Sequence, residues 1–203
     1  MASPSFEIML GRARHPLVLA LDVGSTASRG AIYDANGSPV RPRAKVPHAF
    51  TTRADGTSII DPDQIVREVT QLIDQLVDLT VGHPVAAVSL DTFASSLVGV
   101  DAQGAAVTPC FNYNDNRCAD EVALLRAEVD EDRIQALTGC RFHASYLPAR
   151  LRWLARTEPA TVATVTRWMS LGEYVWLRLL GDTAAGTSVA AWGGLLNRHT
   201  GQW

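Results

Sequence analysis

Residues 19–34 read LALDVGSTASRGAIYD. Asp22 closes an apolar run and is followed at once by Gly24, Ser25, Thr26, Ser28 and Arg29. An unpaired carboxylate would be costly in a core, so Asp22 is expected at a strand end facing a cleft. There it can help position a hydrated Mg²⁺. Gly24 allows close backbone approach, while Ser25, Thr26 and Ser28 offer hydroxyl and amide donors to phosphate oxygens. Arg29 either pairs with Asp22 or adds positive charge. The stretch is neither a Walker A loop nor a Gly-x-Gly-x-x-Gly turn, because both the lysine and the glycine spacing are missing. A plainer reading stays open on spacing alone: a hairpin whose Asp and Ser side chains only satisfy its turn.

Asp91 also ends an apolar run, and it either faces a cleft or caps the loop that follows. Cys110, Cys118 and Cys140 are odd in number and contain no Cys-x-x-Cys pair. That pattern argues against a disulfide framework and a zinc site, and leaves three packing thiols in a reducing compartment. The formal net charge is −3, and the 18 Lys and Arg form no basic run, which argues against nucleic acid as a partner. No apolar stretch approaches the about 18 residues that span a bilayer, so no membrane is expected and a cytoplasmic location is. The opening MASPSFEIMLGRARHP lacks an apolar region of secretory length. Residues 1–15 are therefore read as a flexible leader.

The elements that must position these residues follow from periodicity. Leu17 to Asp22 suits a buried strand and Gly30 to Asp34 a second one, with Asn36-Gly37 as a hairpin turn. Val40 to Val46 returns as a third strand, and Pro42 and Pro47 place it at an edge or make it irregular. Asp61-Pro62 opens a helix in which Ile65, Val69, Leu72, Ile73 and Leu76 recur at helical spacing to about Leu79. Val85 to Leu90 reads as a buried strand and Leu97 to Val100 as another. Helices are predicted over Asp120 to Glu128, Glu131 to Leu137 (stopped at Gly139) and Pro148 to Ala155. Another opens on the capping box Ser170-Leu-Gly-Glu173 and ends at Gly181. Strands, helix, then strands imply an α/β domain with a mixed sheet covered by helices. No linker divides 16–203, which reads as one domain. Trp153, Trp168, Trp176 and Trp192 sit among apolar neighbours and read as core.

LALDVGSTASRGAIYDANGSPV resembles the first phosphate motif of the FGGY carbohydrate kinases. Three further stretches match that family in order. AAVSLDTFASSLVGVDAQG is similar to its strand, substrate loop and strand. TPCFNYNDNR is similar to a Pro-Ala-Ile-x-Trp-x-Asp-x-Arg segment, with Tyr113 in place of Trp and with Asp115 and Arg117 kept. TGCRFHASYLPARLRWLA, then LGEYVWLRLLGDTAAGTSVAAWGGLLNRHTGQW, resembles the rest of the amino-terminal, sugar-binding domain, so the resemblance covers about 16–203. It implies a ribonuclease H-like, actin-like fold and transfer of the γ-phosphoryl group of ATP, with Mg²⁺, to a hydroxyl of a sugar, sugar acid or polyol. In this reading Asp22 organises the metal as the catalytic carboxylate of this segment, and Gly24, Ser25, Thr26, Ser28 and Arg29 receive phosphate.

The resemblance further implies substrate contacts from Asp91, Phe93, Ala94, Ser95, Tyr113, Asp115, Arg117 and Ser145. For Asp115 and Arg117 a local ion pair is the alternative, for Tyr113 a half-buried core aromatic, and for His143 a structural role. Ala94-Ser95 departs from the Arg-Glu pair of glycerol kinases and from the Met-His of xylulose and gluconate kinases. That argues against glycerol. The His143 stretch is similar to the gluconate-kinase branch, where Arg117 or Arg141 would suit an acidic sugar. The family's base aspartate and its carboxy-terminal ATP-binding domain are not found before Trp203, so the 203-residue chain alone is expected to be inactive and open to self-association, a homodimer being one form. The competing expectation is a non-catalytic actin-like sugar- or nucleotide-binding module.

Overall fold

A computed structural model describes residues 7–203. In chain order the elements are β1 (Leu17–Val23), β2 (Ala27–Tyr33), β3 (Pro39–Pro47), β4 (Thr51–Thr52), β5 (Ser58–Ile60), α1 (Pro62–Asp78), β6 (Val85–Thr92), β7 (Val98–Val100) and β8 (Cys110–Phe111). Then follow α2 (Ala119–Glu128), α3 (Glu131–Thr138), α4 (Leu147–Thr157), α5 (Pro159–Thr164), β9 (Arg167–Met169), α6 (Leu171–Leu180) and α7 (Thr187–Trp192). The residues divide into two compact units. One holds the chain to Ala49 together with Gln64–Phe93, and the other holds Phe50–Asp63 and Ala94–Trp203.

The first unit is a four-stranded sheet in the order β3-β2-β1-β6, with β1 antiparallel to β2 and parallel to β6. Alternation along β1 buries Leu17, Leu19, Leu21 and Val23, the period-2 pattern of a strand with one covered face. The covering comes from α1, whose Ile65, Val69, Leu72 and Leu76 are fully buried. Burial of each such side chain stabilises by about 1.5–3 kcal/mol. Gly30 permits the approach, since a Cβ there would lie 2.5 Å from Leu76 Cδ1. The proline-bearing β3 is an edge strand, as predicted, and its register with β2 shifts between Gly30 and Ile32.

Two expectations are revised in this unit. The second strand starts at Ala27, not Gly30, so Ser28 and Arg29 are ladder residues and not part of a loop. Val85 to Leu90 is not a buried strand: β6 stands at the sheet's other edge with most of its residues exposed. An apolar run alone cannot distinguish the two positions. The leader over 1–15 falls partly outside the described residues, which begin at 7. Of the rest, Ile8 exchanges backbone hydrogen bonds with Pro39 and Arg41, and the Arg14 N–H donates to Asp34.

In the second unit β4, β5 and β8 form one small sheet and β7 pairs with β9. Its core gathers Leu97, Phe111 and Leu154, with Ile59, Leu147 and Trp153 packed against them. Asp61 accepts from the Asp63 N–H, which caps the start of α1. The capping box at Ser170 and Glu173 is present, and α3 and α6 end on Gly139 and Gly181 at positive φ. Among the tryptophans, Trp153, Trp168 and Trp176 are partly buried, whereas Trp192 is 53% exposed and is not core.

Candidate functional site

The β1–β2 turn is closed by the Gly24 N–H donating to Ala27 O at 3.0 Å. Strand alternation leaves Asp22 outward between the buried Leu21 and Val23, and register sets it opposite Arg29 on β2. Arg29 Nη1 lies 3.3 Å from Asp22 Oδ2, and Nη2 lies 3.4 Å from Thr26 Oγ1. The two charged side chains are 42% and 54% exposed, so the pair contributes at most about 1 kcal/mol to stability. Its effect is to hold a cation and a carboxylate at one lip. A Cβ on Gly24 would come within 2.8 Å of Arg29 Nη1, so the guanidinium position depends on a glycine there. Ser25 and Thr26 are exposed at the turn.

Ser28 does not join them. It is fully buried, and its hydroxyl donates to Glu68 Oε2 at 2.7 Å. Glu68, on α1, also accepts from Gln64 Nε2 at 2.9 Å. The buried ring of His48 completes the network: Nδ1 lies 2.8 Å from Glu68 Oε2, and Nε2 donates to the Gly24 carbonyl at 2.9 Å. The His48 N–H meanwhile donates to Thr26 O at 3.1 Å. A histidine that follows a strand ending in proline thus fixes both sides of the turn. Sequence reasoning missed it, because its partner stands twenty residues on and is set by the packing of α1.

Parallel pairing of β1 and β6 makes Asp91 the register partner of Asp22. Both are exposed at the carboxyl ends of their strands. The Phe93 N–H donates to Val23 O, extending the ladder by one bond. Among the described residues no group of three His, Cys, Asp or Glu gathers to hold a metal ion. One or two carboxylates with waters and phosphate oxygens is nonetheless the usual Mg²⁺ donor set, and Asp22 with Asp91 fits it. A groove of about 490 Å³ between β3 and α1, lined in part by Arg43, Lys45, Gln75 and Leu79, includes none of the predicted residues.

In the second unit, Ala94 is exposed and Ser95 has φ 55°, the left-handed region that non-glycine residues rarely enter. Its carbonyl is held by Arg150, which is 1% exposed and whose Nη atoms also donate to Asn112 O, Asp115 O and Ala144 O. Burial lowers the Arg150 pKa from its ordinary value, while Cys118 and Asp115 act to raise it. Its carbonyl partners lie on three loops, so one guanidinium ties these loops together.

Asp115 is only 1% exposed and is engaged internally. It accepts from Arg117 Nε and Nη2 and from the Ser58 N–H at 3.0 Å. Arg117 lies 4.7 Å above the Trp153 ring and 5.6 Å from that of Phe111. The local ion pair, not a surface offered to a solute, is what these two residues form. Arg141 is likewise paired, with Glu131 and Asp132. Tyr113 is exposed, and its carbonyl accepts from Ser145 Oγ at 2.8 Å, so these two predicted residues do come together.

The thiols are packing groups. Burial pushes the Cys110 thiol up to about 12 and also raises the thiols of Cys118 and Cys140 above their ordinary value. Below about pH 9 the Cys110 thiol is neutral in both folded and unfolded chains and its contribution is intact. Above that the unfolded thiol ionises first, so stability falls by about 1.4 kcal/mol per pH unit until the folded thiol titrates. The urea midpoint is expected to drop more steeply between pH 9 and 10.5 in the wild type than in Cys110→Ala; equal slopes would remove Cys110 as the cause.

The family described as the FGGY family of carbohydrate kinases, N-terminal domain, matches residues 17–203. The gluconokinase of Bacillus subtilis is 21% identical over 189 residues, 92% of this chain and 36% of its own length. The xylulose kinase of Streptomyces rubiginosus is 28% identical over 174 residues, 85% of this chain and 35% of its own. The chain therefore spans little more than a third of the curated relatives it matches. Among solved structures, xylulose kinase from Rhodospirillum rubrum superposes with a TM-score of 0.87 at 26% identity, covering 92% of this chain and 38% of that one. Gluconate kinase from Lactobacillus acidophilus gives 0.83 at 26%, with the same two coverages. The α/β mixed sheet covered by helices is the ribonuclease H-like, actin-like fold of these sugar kinases. No helix among the described residues is long and apolar enough to cross a membrane.

Proposed function

We propose, for a chain that belongs to the FGGY family of carbohydrate kinases, that it supplies the sugar- and phosphate-handling part of an ATP-dependent kinase acting on a sugar, sugar acid or polyol. The observation that carries this reading is the lip of the β1–β2 turn. Asp22 and Arg29 stand there as an exposed pair beside the exposed Ser25 and Thr26, on a turn that a buried network holds from beneath. Phosphoryl transfer asks little covalent chemistry of a protein; it asks for fixed charges and donors around a moving phosphate. Asp22, with Asp91 beside it, would hold Mg²⁺ through its waters, and that ion would neutralise charge developing on the phosphate. Arg29, Ser25 and Thr26 would bind phosphate oxygens, with Gly24 leaving room for them. In the second unit, Ala94, Ser95, Tyr113 and Ser145 are the predicted residues available to a substrate. A cytoplasmic location goes with this reading.

Asp22→Ala in the full-length protein tests it. Loss of a group that orients a metal or its waters typically costs 10- to 100-fold, so turnover with Mg-ATP and a sugar is expected to fall by about that factor. The inward bonding of Ser28, Asp115 and Arg117 favours a second reading, a non-catalytic actin-like module that keeps the hairpin for folding. Mg-nucleotide affinity that Asp22→Ala leaves unchanged would support that module over the kinase.

A further inference from the structure

We infer that Trp192 is a specificity-determining wall of the sugar site, an aromatic platform for the C–H face of a polyhydroxylated substrate; this rests on the kinase reading above. The indole is 53% exposed, so its surface is open to a solute. This one is also held rigidly. Its Nε1–H donates to Ser95 Oγ, on the one residue other than glycine that has positive φ among the described residues. Strained backbone of that kind is found preferentially at ligand-binding sites.

The backbone around the ring is fixed from both sides. The Ala191 carbonyl faces Cys140 Sγ at 3.4 Å, and the Gly193 carbonyl accepts from the Leu147 N–H at 3.1 Å. Tyr146 packs edge-on against the indole with ring centres 6.3 Å apart, and the next residue back, Ser145, donates to the Tyr113 carbonyl. Of the residues predicted to meet substrate, Ser95 bonds the indole directly, and Ser145 and Tyr113 are linked to it through Tyr146, all inside a single unit. An aromatic face next to hydroxyl and carbonyl groups is the chemistry that recognises a sugar: apolar C–H groups on the ring, hydroxyls on the polar rim. A locked ring loses little freedom on binding.

The test is an equilibrium titration of the full-length protein with gluconate and with xylulose, followed by tryptophan fluorescence and by calorimetry. Wild type, Trp192→Phe, Trp192→Leu and Trp192→Ala are compared, and the leucine variant keeps apolar bulk should alanine disturb folding. Leucine and alanine are expected to weaken sugar binding by about three- to tenfold, the range of one aromatic contact, with phenylalanine close to wild type and Mg-ATP affinity unchanged. The wild-type fluorescence change should be absent in Trp192→Phe. Sugar affinity equal in wild type and leucine variant, or no binding of either sugar by the wild type, would overturn the inference. Turnover is read separately: sugar binding that depends on Trp192 without phosphorylation would sink the kinase reading and leave the platform standing.

Discussion

Arg150→Met is expected to lower stability by about 3–5 kcal/mol, the range for removing one member of a buried charged network. The guanidinium stays charged, and the carbonyls of Ser95, Asn112, Asp115 and Ala144 all depend on it. Methionine fills the volume and offers no donor, so four carbonyl groups lose a charged partner in a place water reaches poorly. Arg150→Lys should recover only part of the loss, because one ammonium cannot span acceptors arranged for a planar fork. Urea unfolding checks both variants. A methionine variant within about 0.5 kcal/mol of wild type would mean that the loops hold their conformations unaided. Sugar binding should fall along with stability, since the same guanidinium fixes the carbonyl of Ser95.

Glu68→Ala is the second large effect. Three groups lose their acceptor at once: the Ser28 hydroxyl, the Gln64 amide and the His48 ring. Breaking a buried pair from one side typically costs about 3–5 kcal/mol, and the same loss is expected here. The functional part is more diagnostic. With Glu68 absent, His48 is no longer oriented toward the Gly24 carbonyl, and Mg-ATP binding should weaken by about 10- to 100-fold, as when the support of a ligand-holding group is removed. Replacing both partners by apolar residues, His48→Phe with Glu68→Leu, should restore much of the stability but not the nucleotide affinity. Recovery of both would show that the network serves only the core.

What could be read from the sequence was what local chemistry determines. The Asn36-Gly37 hairpin, the Asp61-Pro62 helix start, the capping box at Ser170 and the stops at Gly139 and Gly181 each rest on a few neighbouring residues, and each is present. The misreadings arise where distant residues decide. Ser28 turned inward because β2 begins at Ala27 and α1 brings a glutamate from forty positions away. Asp115 closed on Arg117 because the Ser58 N–H, fifty-seven positions back, completes a buried site for it. His48 carried no local signal, and Trp192 looked like core because its neighbours are apolar, although Tyr146 meets the ring edge-on and leaves it 53% exposed.

The two compact units are interleaved along the chain, with crossings after Ala49, Asp63 and Phe93. During synthesis this imposes an order. The parallel partner of β1 is β6, which emerges only after β4 and β5 have left the ribosome, and those two in turn wait for β8. Neither unit can finish before the other has begun, so the nascent chain is expected to pass through a stage in which two incomplete sheets are open together. Their closing contacts span long stretches of chain and form slowly. That window is when chaperone capture or off-pathway pairing of the still open β1 edge would compete with folding.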